Sequence, residues 1–236
     1  FDLAAYAPLA LGGFLVLATC GLLAWPIARL VGIQPKTLVP PMLFNNSGNI
    51  GLPLAVLAWG EDALPAAVIL FMVENTLHFS FGARLLDPTT RLLTLWRIPV
   101  VFAAIAGLTV ALVKIPIWQP AVIAIKMLGD VSVPLLLFSL GVRMTDVSFG
   151  EWKVAVGSAL LRRLAGMAIA YGVIILLGLQ GRDAAMLLVF GALPPAVLNF
   201  LFAERYKQEP QRVASIVLIG NLAALIFLPL ALALVL

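Results

Sequence analysis

Eight apolar stretches joined by short connections dominate the sequence, near Pro8–Leu30, Leu38–Trp59, Ala63–Leu86, Ile98–Val113, Ile117–Val142, Val154–Leu179, Ala184–Ala203 and Val213–Leu236. Each approaches the ~20 residues a helix needs to cross a bilayer. In hydrocarbon only a helix satisfies its own backbone, so the fold expected is an all-α integral membrane bundle. A β-barrel would need alternating strands of about 10 residues, and these runs do not alternate. With 63% hydrophobic and 11% charged residues and a mean hydropathy of +1.11, the chain has too few charges for a water-facing surface. The connections carry helix-stopping residues, as at Gln34-Pro35, Gly60-Glu61-Asp62, Asp87-Pro88 and Gly181-Arg182-Asp183. No long linker interrupts them, and residues 1–236 read as one membrane domain.

The basic residues fall on alternate connections. One side collects Arg29, Lys36, Arg84, Arg91, Arg97, Arg143, Lys153, Arg162, Arg163, Arg205, Lys207 and Arg212, against Lys114 and Arg182 on the other. Twelve against two is a positive-inside pattern that puts both ends of this chain outside the cytoplasm. On this reading Arg162 and Arg163 are snorkelling or orienting charges near the start of the sixth span. Trp25, Trp59, Trp96, Trp118 and Trp152 sit near span ends, as interfacial anchors do. A net charge of +4, small and scattered, argues against nucleic-acid binding. The single cysteine, Cys20, excludes an internal disulfide and a cysteine metal site. One histidine, His78, and no His-Glu-x-x-His pair argue against an intramembrane protease. Neither an enzyme nor a cofactor is expected.

Two spans carry breakers where an anchor would be smooth. The second holds Asn45-Asn46-Ser47-Gly48-Asn49-Ile50-Gly51-Leu52-Pro53, and the seventh Gly191-Ala192-Leu193-Pro194-Pro195-Ala196-Val197-Leu198-Asn199. Proline removes a backbone donor, and Asn or Ser can replace the lost bonds. Such clusters at mid-membrane belong against protein or a wet cavity. Interrupted helices in corresponding positions of two halves point to a transporter's binding site. The breaks lie five helices apart, and an odd repeat inverts its second copy. Residues 96–236 are then one five-helix repeat, and residues 1–95 the last three helices of its inverted partner, two helices being missing from the front.

The segments Asn45–Leu54 (NNSGNIGLPL), Leu193–Tyr206 (LPPAVLNFLFAERY), Val213–Asn221 (VASIVLIGN) and Val133–Gly141 (VPLLLFSLG) resemble the auxin efflux carrier family of bacteria and plants. The resemblance implies ten helices in inverted five-helix repeats, the fold of bile acid–sodium symporters, eight of them present here. It implies two broken helices that cross in a transport domain moving against a scaffold domain. It also implies carriage of organic acid anions such as malate, malonate or auxin. Only Asp87 to Trp96 separates the third and fourth spans, without the long loop of plant carriers, which favours a bacterial inner-membrane protein.

Half-helix N-termini at the breaks would present free N–H groups to a carboxylate. The substrate-binding candidates are Asn45, Asn49, Gly51 and Pro53 in one span and Pro194, Pro195 and Asn199 in the other. Asn46 and Ser47 are equally suited to satisfying the broken backbone. Glu74, Asn75 and His78 in the third span are ion-coupling candidates, because an ionisable residue inside a membrane is a functional hypothesis by default. Glu74 and His78, one turn apart, also suit a structural pair. Lys126 and Asp130 show the same spacing ahead of a break expected at Pro134. They read as a neutralised pair joining two half-helices, with Asp130 a second coupling candidate. The expected partners are a small organic acid, a proton or sodium ion, the lipid bilayer and a second copy in a homodimer. A sodium-coupled symporter is the nearest alternative and a channel a more distant one.

Overall fold

The computed structural model describes residues 4–90, 99–144 and 151–236. Among these the protein is all-α, with no strand beyond one isolated bridge. In chain order come α1 (Ala7–Leu30), α2 (Pro35–Leu43), α3 (Leu52–Trp59), α4 (Leu64–Leu77), α5 (Ala83–Leu86), α6 (Pro99–Val113), α7 (Gln119–Met144), α8 (Trp152–Leu177), α9 (Gly181–Ala192), α10 (Leu198–Arg205) and α11 (Pro210–Ala233). π-helical turns at Ser47–Gly51 and His78–Gly82 lead into α3 and follow α4. Proline stands at the first or second position of α1, α2, α3, α4 and α11, where a missing N–H leaves nothing unsatisfied.

The chain divides into two compact units, one of Asp2–Thr90 with Ser148–Leu236, the other of Arg91–Val147 with Phe1. The first holds four continuous helical stretches long and apolar enough to span a membrane: Ala7–Leu30, Glu61–Leu86, Trp152–Leu177 and Pro210–Ala233. The expected second and seventh spans are each split in two, α2 with α3 and α9 with α10. In this unit α1 packs on α2, α4, α8 and α9, and α8 on α9 and α11. Val16, Leu17, Phe44, Leu187 and Ile216 are buried between them. Leu22, Leu57, Leu176 and Leu225 stay exposed, as side chains facing lipid do. Helices α8 and α9 approach backbone to backbone at Gly166 and Gly191, where a Cβ on either would overlap the other's carbonyl oxygen. The second unit comprises α6 and α7.

Two sequence expectations change. Helix α7 runs unbroken through Pro134, so Lys126 and Asp130 join no half-helices. They form an ion pair of 3.4 Å between exposed side chains. Arg162 and Arg163 do not snorkel, since both are fully buried in α8. Removing them from the loops leaves ten basic residues against two, and the charge asymmetry survives. Arg91, Trp96, Arg97 and the expected repeat boundary at 95/96 lie outside the described residues.

Candidate functional site at the crossing of two broken helices

The site starts from two prolines. Pro194 and Pro195 have no N–H, so the carbonyls one turn earlier, Phe190 and Gly191, lose their helical donors and α9 stops at Ala192. Both carbonyls are met from elsewhere. Asn45 Nδ2 donates to Phe190 O at 3.0 Å, and Arg162 Nη1 donates to Gly191 O at 2.9 Å.

The two breaks then pair with each other. The Asn46 N–H donates to Pro194 O at 2.7 Å and the Ala196 N–H to Phe44 O at 3.1 Å, on either side of an antiparallel bridge between Asn45 and Pro195. Asn199 Nδ2 adds a bond to Phe44 O at 3.1 Å. Asn221 of α11 fastens both strands, accepting from Asn46 Nδ2 and donating to Pro195 O at 3.1 Å. The crossing is thus a buried patch of two-stranded backbone, with the starts of the Ser47–Gly51 turn and of α10 leaving it. First-turn N–H groups have no helical acceptors and form a partially positive surface there.

The expected site residues therefore divide. Asn45, Pro194, Pro195 and Asn199 are buried in the crossing, and both asparagines commit their amide donors to backbone carbonyls. Their Oδ1 atoms have no partner among the described residues. Asn49 is half-buried in the π-helical turn and its side chain makes no hydrogen bond among the described residues, so its amide is free for a ligand. Gly51 faces Leu193 across the crossing, and Pro53 occupies the second position of α3. Ser47 does not serve the backbone: its Oγ donates to Glu74 Oε2 at 2.7 Å. His78 Nδ1 lies 3.2 Å from Glu74 Oε1. Asn75 stands apart from that pair, half-buried and bonded to Phe71 O of its own helix. Asp130 belongs to the other compact unit, on an exposed face of α7.

Sequence reasoning missed Arg162, Arg163 and Asn221. The Arg163 guanidinium donates to Ala159 O at 2.8 Å and to Gly220 O, and lies over the Phe227 ring. Neither arginine meets a carboxylate among the described residues, and Arg162 Nε and Nη2 have no partner there. A usable signal existed: two successive prolines remove the helical donors of two carbonyls, and whatever the local backbone cannot replace must come from neighbouring helices. A cavity of about 20 Å³ lies beside the crossing, lined by Ser47, Gly51, Phe190 and Leu193 among others. A second, of about 330 Å³, opens next to the first break with apolar walls that include Phe14, Trp25, Leu43, Leu77 and Phe81.

An all-helical, multi-pass membrane protein with two broken helices paired at their tips is the class that this architecture defines. Residues 88–232, more than half of the chain, match the membrane transport protein family, and the match takes in the second break but not the first. The chain belongs to that family, the auxin efflux carriers, whose members are transporters and not enzymes. It is 26% identical over 178 residues to auxin efflux carrier component 6 of Arabidopsis thaliana, covering 72% of this chain and 29% of that relative. Auxin efflux carrier components 3a and 2 of Oryza sativa subsp. japonica are 31% and 32% identical over 137 residues, in each case 55% of this chain and 22% of the relative. The chain spans less than a third of the length of each of these relatives.

Proposed function

We propose that this chain forms part of a secondary carrier of small organic acid anions, which bind at the crossing and move by alternating access. The pairing of the two breaks is the observation that carries this reading. It holds two half-helix N-termini together at the centre of one compact unit, an arrangement that suits a carboxylate without a salt bridge. Asn49, with its free amide, is the residue assigned to contact the substrate. The sign of the cargo follows from Arg162 and Arg163. Two buried guanidiniums that meet only carbonyls, a ring and a thiol leave positive charge beside the crossing, which attracts an anion and repels a cation.

The apolar cleft next to Leu43 includes Leu22 and Phe81 of the exposed outer face, so it belongs to the lipid side and not to the anion site. The names of the relatives agree with an auxin-like acid over malate or malonate. The protein sits in a bacterial inner membrane, and both ends of this chain are extracytoplasmic.

A sodium-coupled symporter is the second reading, favoured by the two unpartnered amide oxygens of Asn45 and Asn199. Thermal unfolding of the full-length protein in detergent tests the anion assignment. Indole-acetate is expected to raise the midpoint saturably and the uncharged indole-acetamide to leave it unchanged. Equal stabilisation by both, or by neither indole-acetate nor malonate, contradicts an anion site.

A further inference from the structure

Beside the first break, three buried side chains form a path that binding an anion does not require. Ser47 Oγ donates to one oxygen of Glu74, and the other oxygen lies 3.2 Å from His78 Nδ1. Glu74 is 3% exposed and His78 1%, and Glu74 is the only buried carboxylate among the described residues. The imidazole lies flat on the Phe44 ring, with centroids 4.0 Å apart and planes 7° apart. Phe202 of α10 closes its edge at 5.0 Å. A Cβ at position 82 would come within 2.7 Å of Phe44, so Gly82 keeps this stack open. His78 Nε2 has no partner among the described residues.

We propose that Glu74 and His78 form a proton-binding site that couples the carrier to a proton gradient, one proton being taken up with each anion. This deepens and rests on the anion-carrier reading. The surroundings select the ion. One carboxylate oxygen is held by a hydroxyl and the other by an imidazole, and the imidazole is packed among the rings of Phe44, Phe79 and Phe202. A sodium ion needs several oxygen ligands, which this shell does not supply. A proton needs no such shell: it enters at His78 Nε2 while the Nδ1 proton that bridges to Glu74 passes to Oε1, which leaves a neutral carboxyl and a neutral imidazole. The groups facing the pair are Ser47 and Phe44 from the first break and Phe202 from α10. Among the described residues no Lys, Arg or Asp pairs with it, and the buried Arg162 and Arg163 are held by carbonyls.

The coupling follows from charge and from Ser47. Without the added proton, Glu74 is a negative charge beside the anion site and repels a bound carboxylate. Taking up one proton from the side where the anion binds neutralises it, and releasing that proton on the far side restores it. A neutral carboxyl also accepts a weaker bond from Ser47, because charge-assisted bonds are about twice as strong as neutral ones. The hydroxyl is then free to turn to the 20 Å³ cavity that Ser47 lines, room for about one water-sized group. Ser47 opens the same π-helical turn that carries Asn49, so proton and anion act on one element. The π-helical turn beginning at His78 places an irregularity of the kind found at functional sites on the other partner.

Two measurements on the full-length protein test this. Infrared difference spectra between acid and alkaline pH are expected to show a protonated buried carboxyl that is absent from Glu74→Gln. In liposomes loaded with a pH dye, wild-type indole-acetate uptake is expected to carry protons inward, with protons moved per anion falling about tenfold or more in His78→Gln. A carboxyl band that persists in Glu74→Gln overturns the site. So does wild-type uptake that moves no proton or follows a sodium gradient alone. Wild-type protein that shows the band but no carriage overturns the anion-carrier reading instead, since the spectrum reads protonation without flux.

Discussion

Asn45 and Asn49 stand four residues apart in one motif and have opposite duties. Asn45 gives its amide to the carbonyl that Pro194 orphans, whereas Asn49 gives its amide to nothing. Asn45→Ala removes the side-chain donor to the buried Phe190 carbonyl, which keeps the Leu193 N–H at 3.3 Å, and is expected to lower stability by about 0.5–1.5 kcal/mol. Asn49→Ala removes no bond and is expected to stay within about 0.5 kcal/mol of wild type. Chemical unfolding in detergent checks both, and equal losses would contradict the division. The sequence made all four breaker asparagines visible, because such residues are conspicuous in an apolar span. Which of them would be occupied was not legible, since the partners come from α9, α10 and α11, about 150 residues away along the chain. Arg162 and Arg163 were misread for a related reason: only packing distinguishes a snorkelling guanidinium from one that caps an orphaned carbonyl.

Helices α8 and α9 meet through Gly166 and Gly191, small residues that allow close backbone approach in a membrane. That approach lets Arg162 reach the Gly191 carbonyl, which Pro195 leaves without its helical donor. Gly166→Ala is expected to cost about 1–3 kcal/mol, because the Cβ meets backbone that cannot move aside. Gly157→Ala and Gly172→Ala on the same helix have nothing within 4 Å and should be neutral or gain about 0.5–1 kcal/mol from helix propensity. Thermal unfolding of the three variants reads the difference, and an equally stable Gly166→Ala contradicts the packing. The long spans were legible because apolar runs bounded by Pro and Gly define them. The break at Pro194–Pro195 was legible because two missing donors cannot continue a helix. Pro134 misled because a single proline can be accommodated inside a helix, and α7 accommodates it. The π-helical turn at His78–Gly82 left no mark in the sequence, and neither did the stacking of His78 on Phe44 that accompanies it.

For the whole molecule, one compact unit contains both breaks, the buried arginine pair and the Ser47–Glu74–His78 path. Every polar group that the proposed transport cycle uses therefore sits in one body, which can carry the site as a unit between the two sides of the membrane. The charge asymmetry was readable from the loops alone, and the membership of a transporter family agrees with the paired breaks. The substrate was not legible, because a free amide beside half-helix N-termini specifies a chemical class and not a compound. The central claim is that the crossing binds and carries an organic acid anion, and it predicts one flux directly. Liposomes containing the full-length protein and loaded with unlabelled indole-acetate should exchange it for external labelled indole-acetate. The exchange should saturate with concentration and fall about tenfold or more in Asn49→Ala, a loss of at least 1.4 kcal/mol of interaction. No saturable exchange of indole-acetate, malate or malonate by folded wild-type protein, or undiminished exchange by Asn49→Ala, would contradict the account.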